Sequence, residues 1–267
     1  MCSAYAIIFN MKKRLKGFTI IEVSLFLAIT GLLFLGVTIG VQSSVYRQRF
    51  NDSVQNFSEF LRSIYAETMN VQSADKGRSN QAIYGKLVTF GERKGLTNNS
   101  DVDGNQAFVY DVIGDARDDI SAGDILAVLK NDVKADVVFV ENDEIRLAGI
   151  VESYRPKWSA QIQSACNNDD CFKPIKAALL IVRHPKTGTV YTFVMKNKTI
   201  EVNENKSTGN VLGKYLNEGD FKLEKIDFCV NPEGENKYDN RADVRINANA
   251  RNSSAIEIIY EGDNPCR

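Results

Sequence analysis

The longest apolar stretch of the chain runs from Phe18 to Val41, and Glu22 is its only ionisable side chain. A helix of these ~24 residues would be about 36 Å long, enough to cross the ~30 Å hydrocarbon core of a bilayer. The stretch therefore predicts a membrane-spanning helix. A secretory signal peptide is the alternative, but its apolar region would be shorter and would end at a small-residue cleavage motif.

Beyond the apolar stretch, the hydrophobic positions take the spacing of an amphipathic helix. They recur at intervals of three or four residues, which places them on one helical face. These positions are Phe50, Val54, Phe57, Leu61 and Ile64. No proline lies within residues 18–72, so we predict one helix over 18–72, transmembrane to about residue 41, whose second half packs on a soluble domain. The alternative is a membrane anchor followed by a separate helix.

After about residue 73 the pattern changes to short runs rich in β-branched and aromatic residues, separated by Gly, Asn and Asp. Examples are IYGKLVTF, QAFVYDVI, AALLIVRH and TVYTFVMK. Turn-forming stretches such as PKTG separate neighbouring runs. The sequence thus predicts a β-rich globular domain over 73–267 and an α+β fold, in which the long N-terminal helix packs on an antiparallel β-sheet.

The charge distribution indicates which side of the membrane each part occupies. Residues 1–17 contain no acidic residue, and their basic residues are Lys12, Lys13, Arg14 and Lys16. A positive flank favours the cytoplasmic side, so residues 73–267 are expected to be extracytoplasmic. The formal net charge of all 267 residues is −1, which argues against nucleic-acid binding through bulk charge.

The residues around Gly17 combine several features in register. The basic segment KKRLKG ends at Gly17, and FTIIEV follows, with an aromatic residue first and a glutamate fifth, before the apolar helix continues. About residues 11–42 resemble the class III signal of type IV pilins and related type IV filament proteins. In that family a prepilin peptidase cleaves after the glycine and commonly methylates the new N-terminal residue. The resemblance implies a leader over 1–17, cleavage between Gly17 and Phe18, and N-methylation of Phe18.

Glu22 is the residue whose place in an apolar helix needs a reason. A lone carboxylate in lipid costs several kcal/mol unless it is protonated or paired. Cleavage after Gly17 would create a positive amine on Phe18, one helical turn before Glu22, and the two charges could also pair between neighbouring subunits. In the family this glutamate sets the axial stagger of subunits, so the resemblance implies a filament-assembly role for Glu22. The alternative is a side chain that extends to the lipid headgroups.

Two features depart from the family pattern. A leader that starts at the first methionine is longer than usual, whereas a start at Met11 gives MKKRLKG, a typical length; we predict Met11 as the natural start. Many pilins have a proline midway along the apolar helix, where this chain has Ile39. Nearby glycines would let the helix extend locally or let helices approach closely. These glycines are Gly31, Gly36 and Gly40.

Cysteine usage fits an oxidising compartment. Cys2 lies in the predicted leader, and the four others are Cys166, Cys171, Cys229 and Cys266. Four cysteines allow three connectivities. We predict Cys166–Cys171, which closes the short CNNDDC loop, and Cys229–Cys266, which closes the final hairpin against the C-terminus; pilins often carry a disulfide in the C-terminal region. The spacing is not that of a zinc site.

No catalytic constellation or cofactor motif is evident in the sequence. His184 is the only histidine, and no GxSxG, Walker or HExxH motif is present. We therefore predict that the chain is not an enzyme and needs no cofactor or metal. Asp101 and Asp103 imitate the start of a calcium loop, but Tyr110 stands where the closing glutamate would lie. A surface turn is the favoured interpretation, and calcium binding stays open.

Trp158 is the only tryptophan of the chain. It is either an exposed adhesive or DNA-stacking residue or a residue that anchors its loop in the core, and the second is favoured.

The resemblance implies a structural subunit, a major or minor pilin, of a type IV pilus that serves adhesion, twitching motility or DNA uptake. Its partners would be the prepilin peptidase, other pilin subunits, the cytoplasmic membrane before assembly and, indirectly, the assembly platform and its ATPase motor. The chain would first span that membrane with its N-terminus in the cytoplasm and then enter an extracellular filament. The alternatives are a pseudopilin of a type II secretion or competence system, and a membrane-anchored extracytoplasmic binding protein or enzyme.

Overall fold

The computed structural model describes residues 17–70, 81–91, 105–115, 133–135, 150–165, 173–184, 187–200, 211–232, 241–262 and 265–266. The chain forms two compact units, Met1–Gln48 and Arg49–Arg267. A long N-terminal apolar helix is followed by antiparallel sheets, and the predicted α+β class is confirmed.

Helix α1 runs from Ile20 to Met69 and has 50 residues. Its first part is apolar and exposed, and it is long and apolar enough to cross a membrane. Hydroxyl groups in this part donate to backbone carbonyls one turn earlier: Thr30 Oγ1 lies 2.8 Å from the Phe26 oxygen, and Thr38 Oγ1 lies 2.9 Å from the Leu35 oxygen. These bonds satisfy the hydroxyl groups without water, as a lipid environment requires.

Two antiparallel sheets form the body of the second unit, where the sequence predicted one. The first sheet has six strands, with β4 pairing on β2 beside the order β3-β2-β1-β6-β7. These strands are β1 (Gln81–Phe90), β2 (Ala107–Asp115), β3 (Val133–Ala135), β4 (Ile150–Tyr154), β6 (Ala177–Arg183) and β7 (Val190–Lys196). The second sheet has the order β10-β9-β8-β5. Its strands are β5 (Gln161–Ser164), β8 (Ile226–Asn231), β9 (Ala242–Ile246) and β10 (Ile256–Ile259).

The second half of α1 packs into the core formed with both sheets. The predicted apolar face is fully buried at Val54, Phe57, Leu61 and Ile64. The ring of Phe57 lies 5.4 Å from that of Phe228 on β8 and 6.2 Å from that of Phe90 on β1. Because burial of one such side chain contributes about 1.5–3 kcal/mol, this face holds the helix on the sheets.

The other face of the first sheet carries a separate cluster. Alternate residues of β6, such as Ala178 and Leu180, pack there with Leu212 and Leu216 of helix α2 (Val211–Asn217). Both faces of β6 are therefore covered, which explains its continuous apolar sequence.

Candidate functional site

The predicted processing site lies at the start of α1. Gly17 and Phe18 precede the first helical residue, and Phe18 is exposed. A Cβ atom added to Gly17 would have no neighbour within 4 Å, so packing among the described residues does not require glycine there. The basic leader residues Lys12, Lys13, Arg14 and Lys16 lie outside the described residues.

Thr19 caps the N-terminus of α1 and fixes the position of Glu22. The backbone N–H of Glu22 donates to Thr19 Oγ1 at 3.2 Å, and the N–H of Val23 donates to the Thr19 carbonyl at 3.1 Å. Thr19 and Glu22 thus have the spacing of a capping box, and a carboxylate in the first turn interacts favourably with the helix dipole. Sequence analysis missed this role for Thr19, although the pattern T-x-x-E before an apolar run is a signal for it.

The apolar part of α1 presents large side chains around the whole helix. Ile20, Phe26, Leu32 and Phe34 are among the exposed ones. An exposed apolar surface of this extent marks a membrane or protein contact. Glycines within it have open surroundings, since added Cβ atoms would meet nothing within 4 Å. They are Gly31, Gly36 and Gly40. Ile39 lies in the same helix, but its side chain is not among those that the structure describes.

The structure joins Cys229 on β8 to Cys266 by a disulfide, with the Cα atoms 5.4 Å apart. This is one of the two predicted pairs. Both cysteines are buried, so the bond ties the C-terminal end to a central strand of the second sheet. The loop-entropy relation gives about 3–4 kcal/mol of stabilisation for a loop of this size. The predicted pair Cys166–Cys171 lies outside the described residues.

Three charged residues meet on the second sheet near that disulfide. Asp243 on β9 is opposite Cys229 in the register. Its Oδ2 lies 3.1 Å from Arg245 Nη2, and Arg245 Nε lies 2.5 Å from Asp227 Oδ1. Burial raises the pKa of Asp243 to about 7, and the neighbouring carboxylate of Asp227 adds to the rise, while Arg245 opposes it. Asp243 therefore titrates close to neutral pH.

His184 has a structural position in the turn between β6 and β7. Its side chain is buried, and the backbone N–H of Thr187 donates to its Nδ1 at 3.2 Å. Among the residues the structure describes, no group of three or more His, Cys, Asp or Glu side chains could hold a metal ion. The calcium candidates Asp101 and Asp103 fall outside those residues.

Trp158 is half exposed, which is not the core position favoured from the sequence. Its ring packs against Arg49 of α1, whose Cζ lies 5.0 Å from the ring centroid. Nothing in the local sequence distinguishes this arrangement from a buried anchor, because it depends on a contact between residues that are distant in the chain.

Comparison of the chain with protein-family models, with curated proteins and with solved structures gave no significant match.

Proposed function

We propose that this chain is a structural subunit, a major or minor pilin, of a type IV pilus, cleaved by a prepilin peptidase and assembled into a surface filament. One observation carries the proposal. The segment Gly17-Phe18-Thr19 with Glu22 stands at the start of α1, which is exposed and apolar in its first part and buried in a β-rich unit in its second. This layout supports the proposal because it is the one that the resemblance to type IV pilins implies.

The exposed apolar surface of α1 lets the helix pass from the membrane to a filament core without contact with water. In the membrane this surface contacts lipid, and in a filament core it contacts the same surface of neighbouring subunits. Apolar burial is kept in both states, so transfer between them does not expose the helix to water. Close packing between helices is favoured by small residues such as Gly31, Gly36 and Gly40.

Glu22 then determines the axial register in which each subunit packs against its neighbours in the filament. After cleavage at Gly17, the amine of Phe18 is positive at neutral pH, and a buried carboxylate is stabilised by an opposite charge at contact distance. The Thr19 cap keeps Glu22 in the first turn of α1, so its carboxylate stays at the same end of the helix as the new amine. A neighbouring subunit with its amine beside this carboxylate is favoured over one in another register.

The proposal places the chain first in the cytoplasmic membrane, as a single-pass protein with its N-terminus in the cytoplasm. Its partners are the prepilin peptidase and other pilin subunits, with the assembly platform and its ATPase motor acting indirectly. No cofactor takes part.

Mass spectrometry of the chain from sheared surface material and from membranes tests the proposal. The expected mature chain begins at Phe18, carries an N-methyl group and occurs in the sheared fraction, whereas Gly17→Asp leaves uncut precursor in the membrane. A membrane chain that retains residues 11–17 would contradict processing and favour an anchored binding protein or enzyme. Cleaved chain that never enters surface filaments would favour a pseudopilin.

A further inference from the structure

Trp158 has an unusual place on the surface of the second unit. It is 51 % exposed, and in the described part of this unit the other large hydrophobic side chains classed as exposed are Met69 and Leu223. Arg49 lies over its ring. A large amphipathic ring beside a cation is a combination that occurs at binding surfaces and at membrane interfaces.

The backbone holds Trp158 outward in a conformation that costs energy. Trp158 has φ 57° and Ser159 has φ 53°, a left-handed conformation that is sterically unfavourable for residues other than glycine. Contacts on both sides maintain the turn. Ser53 Oγ donates to the Lys157 carbonyl at 2.7 Å, and Asn105 Nδ2 donates to the Ala160 carbonyl at 2.5 Å.

The ring of Tyr154, just before this turn, stacks on Phe60 of α1 with centroids 4.4 Å apart. The turn is therefore fastened to the core, and only its tip faces solvent. Strained residues that the surrounding structure enforces in this way cluster at functional sites.

Two exposed residues of the turn are cationic. Arg155 and Lys157 flank the buried Pro156, and both are exposed, as is Arg49. Within the described ranges, none of these three cations forms an ion pair. The acidic residues nearest to these cations in the sequence are Asp52 on α1, which is half-buried, and Glu152 on β4, which is exposed. We call Arg49, Arg155, Lys157 and Trp158 the tryptophan patch.

We propose that the tryptophan patch binds the anionic phospholipid headgroups of the membrane that α1 spans before assembly. This inference rests on the membrane-bound stage of the proposed function. Arg49 follows Val41, the end of the apolar stretch, by eight residues of the same helix, so this cation of the patch is juxtamembrane in the sequence.

The chemistry of the patch suits this surface. Tryptophan is enriched at the membrane–water interface, and lysine and arginine near a membrane surface are attracted to its anionic headgroups. Such contacts would hold the second unit against the membrane until a filament neighbour replaces the lipid.

Because Trp158 is the only tryptophan, its fluorescence reports on this patch alone. The full chain is reconstituted into phosphatidylcholine vesicles with and without phosphatidylglycerol, each with and without lipids brominated near the headgroup. In phosphatidylglycerol vesicles we expect a blue-shifted emission, at least twofold quenching by the brominated lipid, and protection from acrylamide. R155Q/K157Q should at least halve the lipid quenching, whereas the matched control K222Q/R251Q, at exposed cations elsewhere, should not.

Each outcome supports or overturns the inference. Equal quenching in both kinds of vesicle, or no lipid quenching at all, overturns it. Protection from acrylamide that disappears when the chain is diluted in lipid overturns it and assigns the patch to a second copy of the chain. Quenching by a single-stranded oligonucleotide in place of lipid overturns it and assigns the patch to nucleic acid.

Extraction of the chain by alkaline carbonate overturns both this inference and the membrane stage of the proposed function, whereas an inserted chain without lipid quenching overturns this inference alone. Circular dichroism of each variant shows that the fold is intact.

Discussion

The Nζ atom of Lys86 on β1 lies 3.0 Å from Oε2 of Glu67 near the end of α1. The same ammonium lies 2.7 Å from Oδ1 of Asp111, its partner in the β1–β2 register. Burial alone would lower the pKa of Lys86, but ion pairing with Asp111 and Glu67 outweighs burial and raises it. One buried cation thus ties the long helix to two strands of the first sheet.

Removal of this cation is expected to destabilise the second unit. Lys86→Met leaves the two carboxylates close together without a counter-charge; loss of one partner of a buried pair costs about 3–5 kcal/mol, and the partial exposure of Glu67 reduces this to about 2 kcal/mol. Urea unfolding of the full chain in detergent, followed by far-UV circular dichroism, measures the change. Lys196→Met, which removes an exposed pair with Glu224, is the control and should leave the midpoint unchanged. Equal midpoints for the two variants would contradict the role of Lys86.

Because the pKa of Asp243 is raised in the folded chain, we predict that the free energy of unfolding falls as pH rises. Its pKa of about 7 in the folded chain lies above the ordinary value of 3.8, so the folded state binds more protons than the unfolded state between these pH values. The free energy of unfolding therefore decreases from about pH 4 through pH 7 as this group ionises.

Asp243→Asn should remove most of this slope. Urea midpoints at pH 5, 6, 7 and 8 for the wild type and Asp243→Asn measure it, with the exposed Glu261→Gln as control. Parallel curves for the wild type and Asp243→Asn would show that another group causes the pH dependence.

Substitutions in the first turn of α1 distinguish two roles of Glu22, helix capping and charge pairing between subunits. Glutamine can occupy the same position of a capping box but carries no charge, whereas valine can neither cap nor pair. If the charge sets the filament register, Glu22→Gln and Glu22→Val should both insert in the membrane and both fail to enter filaments. Thr19→Ser keeps the cap and should assemble, whereas Thr19→Val should weaken assembly. Sheared-filament yield, measured against membrane content by immunoblot, distinguishes these cases, and normal assembly of Glu22→Gln would exclude the pairing role.

The sequence predicted those features that depend on local periodicity. The spacing of Phe57, Leu61 and Ile64 identified the buried face of α1, and β-branched runs identified the strands. The division into two sheets was not predictable, because short strands such as β5 and β10 carry no mark of the sheet they join. The proximity of Asp243 to Asp227 likewise depends on strand register.

The start of α1 was only partly interpreted from the sequence. Glu22 was singled out by its charge in an apolar helix, whereas Thr19 passed as an ordinary polar residue. The T-x-x-E pattern indicates a cap, but it assigns the role to Thr19 only if the helix begins one residue later, at Ile20. Helix boundaries are less certain than helix existence when only a sequence is available.

Gly85 on β1 is a position at which even a small substitution should damage the first sheet. A Cβ atom there would overlap the carbonyl oxygen of Ile181 and lie 2.7 Å from Cα of Val182 on β6. These obstacles are backbone atoms that pair with β1, so they cannot move aside as a flexible side chain would. Gly85→Ala should therefore cost about 3 kcal/mol, the upper part of the usual range for overpacking.

Gly219→Ala is the matched control for this substitution. Gly219 has φ 72° and no atom within 4 Å of an added Cβ, so the variant meets backbone strain of about 1–2 kcal/mol without steric overlap. The urea midpoint of the full chain in detergent should fall more for Gly85→Ala than for Gly219→Ala. The opposite order would mean that β1 and β6 can separate locally at little cost, and the tight pairing of these central strands would then not be what holds the first sheet together.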